Sequence, residues 1–216
     1  MKAAATFVCL FLAAAVCHGG EVKKFTVNAD DMAEGEPPKE VFVVDGTIKI
    51  AAKDGNKAIM VDPNPITDAS AQLAVSAAGD STIQAKIFAS RRARSLPKFG
   101  LSVHGMSGYR LMVNAPKKQL ELVKGEQVLQ SVPFTWTPDT WVLAKLEVKK
   151  SGGEDWTITG KVWPADAAEP AEALVKHSDK GLKGQGKVGL WGVPYSEMPI
   201  YFDDIEIAIE VAAAAP

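Results

Sequence analysis

Two cysteines occur in the 216 residues, Cys9 and Cys17, and both lie in an N-terminal apolar run. That run extends from Ala3 to Cys17, broken only by Thr6. Lys2 precedes it, and Gly19 and Gly20 come just before the charged stretch that opens at Glu21. It reads as a secretory leader, and it is shorter than the roughly 20 apolar residues of a membrane span. The expectation is a signal peptide over 1–20, a mature chain from Glu21 that is secreted or periplasmic, and no stable membrane span after leader cleavage. Cleavage removes both thiols, which excludes disulfides, cysteine metal sites and a cysteine nucleophile. A chain of this length can hold itself together by its core instead.

An excess of positive charge is also missing. Lys and Arg number 24 against 26 Asp and Glu, a net charge of −2; without Lys2 the balance is −3. No global field gathers nucleic acid, so no nucleic-acid partner is expected. Histidines are scarce: His18, His104 and His177 stand far apart and form no metal-ligand spacing. No G-x-S-x-G and no H-E-x-x-H occurs. Gly181 to Lys187 has the spacing of a phosphate-binding loop, but Val188 follows where a hydroxyl should hold Mg²⁺. Asp62 to Asp68 places oxygens like a calcium loop, yet lacks the sixth-position glycine and has Leu73 where the closing Glu belongs.

Helical periodicity is scarce as well, and the period from Glu21 onward is two. Fourteen short apolar-alternating runs, from Lys24–Val27 to Ile200–Val211, are separated by turns such as Asp45-Gly46, Asp54-Gly55, Lys124-Gly125 and Gly152-Gly153. This pattern predicts an all-β, two-sheet antiparallel sandwich in one domain over 21–211, with a frayed tail at 212–216. Pro164 to Gly186 reads as a long surface loop with a helical turn at Ala171–Val175.

Parity assigns the faces. Phe99, Leu101 and Val103 point inward; so do Tyr109, Leu111 and Val113, then Val142, Ala144, Leu146 and Val148. If the strands share one sheet, its outer face gathers His104, Arg110, Lys145, Lys161, Trp163 and Trp191. Trp136, Trp141 and Trp156, beside turns, read as structural. Trp163 and Trp191 sit opposite the apolar sets of their strands and form a candidate platform for the apolar face of a sugar ring.

The succession Trp141-x-x-Ala-Lys-Leu-Glu-Val148, Trp156-Thr-Ile-Thr-Gly-Lys-Val-Trp163, Gly186-Lys-Val-Gly-Leu190 and Ile200-Tyr-Phe-Asp-Asp-Ile205 resembles the concanavalin A-like lectin/glucanase superfamily. It is closest to the laminin-G-like jelly rolls of exported bacterial proteins, which include 3-keto-disaccharide hydrolase domains. The resemblance implies a concanavalin A-like jelly roll. The Glu-x-Asp-x-x-Glu catalytic strand of its glucanases does not occur here, which speaks against retaining glucanase activity. In other branches a structural Ca²⁺ is held near the first and last strands; the matching positions are Asp30 or Asp31 with Asp203, and two carboxylates cannot complete its six to eight oxygen ligands.

The leading expectation is an exported, non-catalytic carbohydrate-binding module that requires no cofactor and whose partner is a glycan or polysaccharide. Trp163 and Trp191 would stack on sugar, and Arg110, Lys145, Lys161 and His104 would bond its hydroxyl or carboxylate groups. The alternatives are a glycoside or 3-keto-glycoside hydrolase using His104, Glu147 or Asp204, and a structural or adhesive cell-envelope protein.

Overall fold

Side chains that alternate between oil and water build nearly the whole chain. The computed structural model describes residues 21–211 except 38, 39, 181, 183 and 184; the expected leader and the tail at 212–216 lie outside the described residues. Its strands are β1 (Glu21–Val27), β2 (Val41–Asp45), β3 (Ile48–Lys53), β4 (Asn56–Val61), β5 (Ala69–Ala77), β6 (Ser81–Ala89), β7 (Lys98–Val103) and β8 (Tyr109–Asn114), followed by β9 (Gln119–Lys124), β10 (Gln127–Pro133), β11 (Trp141–Gly152), β12 (Asp155–Pro164), β13 (Val175–Lys180), β14 (Gly186–Val193) and β15 (Ile200–Val211). A 3-10 turn spans Ala115–Lys117, and no α-helix occurs among the described residues.

Two antiparallel sheets form. One runs β13-β12-β11-β6-β15-β4-β3, with β1 also paired to β15, eight strands in all; the other runs β10-β9-β8-β7-β14-β5-β2. The expected jelly-roll sandwich is what the chain adopts. Ile83, Ile87, Leu146 and Ile158 of the eight-stranded sheet share one buried core with Phe99, Leu101, Leu111 and Leu190 of the seven-stranded sheet. Parity fixes this layer: β6 and the first part of β11 bury every second residue.

The fold departs from the sequence expectation in three places. First, the outer-face residues do not share a sheet. The chain crosses between sheets after β6, β10 and β13, so β7, β8 and β14 lie in one layer and β11 and β12 in the other. Second, β13 (Val175–Lys180) occupies part of the expected loop, whose residues 165–174 remain turns and bends with no helical turn. Lys176 to Lys180 alternates only between half-buried and exposed, so Val175 alone carried an inward signal. Third, a bulge shifts the β15–β6 register between Asp203 and Glu206, with Asp204 at φ 45°. Phe202 and Ile205 therefore both enter the core, while Asp204 meets Lys86 on the outer face, its Oδ2 2.5 Å from Nζ. Asp203 lines the same outer face.

One polar clamp joins the layers. Asp179 Oδ2 on β13 accepts from the Tyr109 hydroxyl on β8 and the Lys124 ammonium on β9. Those two donors, Lys124 first, hold its carboxyl at about 2.

Candidate functional site

A broad concavity lies on the outer face of the eight-stranded sheet, and it exists because one hairpin leaves that sheet. β4 pairs with β15 only from Val61↔Ile200 to Ile59↔Phe202; from Ile205 onward β1 takes its place beside β15. The released β3–β4 tip turns at Asp54 and Gly55, both at positive φ, and reaches over the aromatic residues of the sheet. Lys53 Nζ sits 3.8 Å above the Phe88 ring, and Trp141 Nε1 donates to Asp54 Oδ2 at 3.2 Å. Phe88 packs against Trp141 and Tyr201, with centroids 5.4 and 6.2 Å apart.

The resulting cleft has a volume of about 740 Å³. One wall is the hairpin, with Lys53, Asp54 and Asn56. The opposite wall is the segment after β12, with Pro164 to Asp166. Thr137, Thr140 and Trp141 close the end, and Lys86 and Asp203 line the floor. Both lysines are ion-paired: Lys53 Nζ is 2.6 Å from Asp54 Oδ1, and Lys86 pairs with Asp204. The bond to Asp204 raises the Lys86 ammonium above its ordinary value, and the bonds from Lys53 and Trp141 lower the Asp54 carboxyl. Asp203, 8% exposed, is pushed upward chiefly by burial. Hydroxyl, amide, carboxylate and ammonium groups around a half-exposed indole suit a polyhydroxylated ligand with one apolar face.

Of the six residues expected on one platform, five divide between two opposite faces and the sixth, His104, lies on neither. Lys145 and Lys161 are on the eight-stranded sheet, but Glu169 occupies them: Lys161 Nζ is 2.8 Å from Oε1, and Lys145 Nζ is 3.1 Å from Oε2. Trp163 keeps its outward parity yet is only 6% exposed, at the point where the chain after Pro164 folds back and Pro170 O accepts from Lys161. On the seven-stranded sheet Arg110 and Trp191 do meet, the guanidinium carbon 4.3 Å from the ring centroid. Trp191 is 7% exposed, covered by that stack and packed with Met112, Val123 and Val193. His104 is not an outer-face residue. Its φ of 58° breaks the alternation after Val103, and it is buried with Nε2 2.9 Å from Gly79 O, its ring edge-on to Trp156. Burial lowers its imidazole below the ordinary 6.5.

The Asp31–Asp203 cation site does not suit its donors. Asp31 is exposed, and the carboxylates whose charge reaches Asp203 are Asp204 and Asp30. The carbonyls of Asp30 and Met32 accept from the Lys57 ammonium, so the peptide oxygens of this turn already hold an internal cation. Among the described residues, no three His, Cys, Asp or Glu side chains gather where they could hold a metal ion.

Sequence reasoning missed Trp141. Its outward parity with Leu143 and Lys145 was readable, but the turn beside it suggested a structural role, and the hairpin that makes it a cleft wall comes from residues 87 positions away.

An antiparallel jelly-roll sandwich with a broad, polar, aromatic-walled cleft defines the class, and solved structures share its fold. A carbohydrate-binding module, CBM66 of Bacillus subtilis, superposes with a TM-score of 0.53 at 16% identity, covering 77% of this chain and 94% of that one. Lectin II from Ulex europaeus gives 0.54 at 8% identity, covering 88% and 99%. The carbohydrate recognition domain of Emp46p, solved as a single-residue mutant, gives 0.58 at 8% identity, covering 85% and 95%. No family model and no curated protein matches the sequence.

Proposed function

We propose that the protein is an exported, non-catalytic carbohydrate-binding module that takes a glycan in the cleft between the β3–β4 hairpin and the segment after β12. The observation that carries this reading is the cleft itself, about 740 Å³ with Trp141 on its wall and polar groups of both hydrogen-bonding senses around it. The Trp141 ring supplies the surface for the C–H face of a sugar. Asn56, Thr137, Thr140, Asp166 and Asp203 supply bonds to its hydroxyls. The shared fold with carbohydrate-binding modules and lectins supports the same reading. Titration calorimetry against a panel of soluble polysaccharides tests it. At least one should bind, and Trp141→Ala should weaken that binding about tenfold or more, as truncation of a central aromatic contact does. Binding that Trp141→Ala leaves unchanged would reject the cleft.

One feature favours the hydrolase alternative: Asp203, a carboxyl lining the cleft and raised by burial, is suited to act as an acid. That reading requires sugar release from a library of glycosides and 3-keto-glycosides, abolished by Asp203→Asn. Silence across the library rejects the hydrolase reading.

A further inference from the structure

We propose that the outer face of the seven-stranded sheet carries a second site for a neutral glycan, back to back with the cleft, so that one molecule cross-links two polysaccharide chains; this rests on the carbohydrate-binding reading above. A trough of about 300 Å³ crosses β9, β8, β7 and β14 there. Two of its lining side chains are buried polar groups on β8 and β9, and Glu121 also pairs with Lys117, whose Nζ is 3.7 Å from Oε1. Asn114 is 1% exposed and Glu121 2%, and Asn114 Nδ2 donates to Glu121 Oε1 at 3.0 Å. A carboxylate only accepts, so the amide must turn its nitrogen toward Glu121. Asn114 Oδ1 then faces away, buried and without a partner. A buried acceptor left unpaired is costly unless something bonds it.

The surroundings specify the donor. Arg110 Nε is likewise buried without a partner. Lys98, Arg110 and Lys117 line the trough together with Asp68, Glu121 and Glu126, three charges of each sign. A strong anion or cation meets as much repulsion as attraction, whereas a hydroxyl, which both donates and accepts, can bond either kind of group. The apolar part fits the same ligand. Met112, Val123, Trp191 and Val193 form a packed floor, and the two exposed apolar residues, Val128 and Tyr195, stand at 45% and 46% exposure. Gly100, paired with Trp191 across β7 and β14, keeps that row low; a methyl there would stand 1.8 Å from the Leu111 carbonyl oxygen.

Two sheets of a sandwich lie about 10 Å apart with their outer faces turned away from each other. A single glycan would have to wrap around the molecule to fill both sites, so two chains are bridged instead.

The test uses dextran, laminarin, levan and galactomannan, each as polymer and as short oligosaccharide, with the wild type, Trp141→Ala in the cleft, and Tyr195→Ala and Glu121→Gln in the trough. Tyr195 is half exposed and its truncation should leave the fold intact, which circular dichroism checks. Calorimetry with the oligosaccharide should give two sites per chain in the wild type and one in each variant. Light scattering with the polymer should rise for the wild type and for none of the variants. A wild type with one site, lost in Trp141→Ala and untouched in Tyr195→Ala and Glu121→Gln, overturns the second site and leaves the cleft standing. Binding lost in the trough variants and unchanged in Trp141→Ala upholds the trough and overturns the cleft. No binding to any of the four overturns both.

Discussion

Asp179 shows how much one side chain can join. Its carboxylate receives a hydroxyl and an ammonium from the facing sheet, which pull it from the ordinary 3.8 to about 2. A group depressed in the folded state stabilises fully above its unfolded value and loses that contribution as pH falls through the folded one. The clamp is therefore complete above about pH 5 and gone near pH 1, a contribution on the order of 2 kcal/mol. Urea unfolding at stepped pH should show this loss in the wild type and not in Asp179→Asn, which is less stable at neutral pH. His104 adds a second pH dependence in another window. Burial lowers its imidazole from 6.5, so its neutral form stabilises fully above that value and the contribution falls away as pH drops below it. Melting temperatures at pH 7.5 and 5.5 should converge in His104→Gln. At this scale the sequence misled at His104, where a positive φ falls at a strand end: a reading by strict alternation placed it outside, and only the 58° backbone angle carries it inward.

The element that decides the cleft is the β3–β4 hairpin. Its turn was legible as Asp54-Gly55, and its strands appear close to where alternation put them. Its departure from β15 was not legible, because it depends on β1 competing for the same edge. The tip is held over the sheet by Lys53 on Phe88 and by Asp54 on the Trp141 indole. Asp54→Ala removes the acceptor of that bond without touching the core. Glycan affinity should fall by up to about tenfold, the worth of one hydrogen bond, with the melting temperature nearly unchanged. An equal affinity in calorimetry would show that the wall needs no such anchor. The segment after β12 is pinned differently, by Glu169 on Lys145 and Lys161. Two cations expected to meet ligand are thus spent on holding the opposite wall.

For the whole molecule, stability resides in one core between two layers. Leu101, fully buried on β7, illustrates it: Leu101→Ala should cost roughly 2–5 kcal/mol, read from the shift in urea midpoint. Such a loss should weaken both faces together, whereas Trp141→Ala and Tyr195→Ala should each affect one.

Alternation alone determined that the chain is an all-β sandwich and which side chains of Phe99–Val103, Tyr109–Val113 or Val142–Val148 enter the core, because inward parity is a local property of an extended backbone. It could not assign strands to sheets. A crossover between layers preserves parity, so Arg110 and Lys161 carry the same signature while facing opposite directions. Tertiary structure decided that division, and with it the cleft at Trp141, which joins the β3–β4 tip to strands distant in the chain, and the place of β14 beside the β7–β10 meander at the trough, since no local pattern encodes such adjacency.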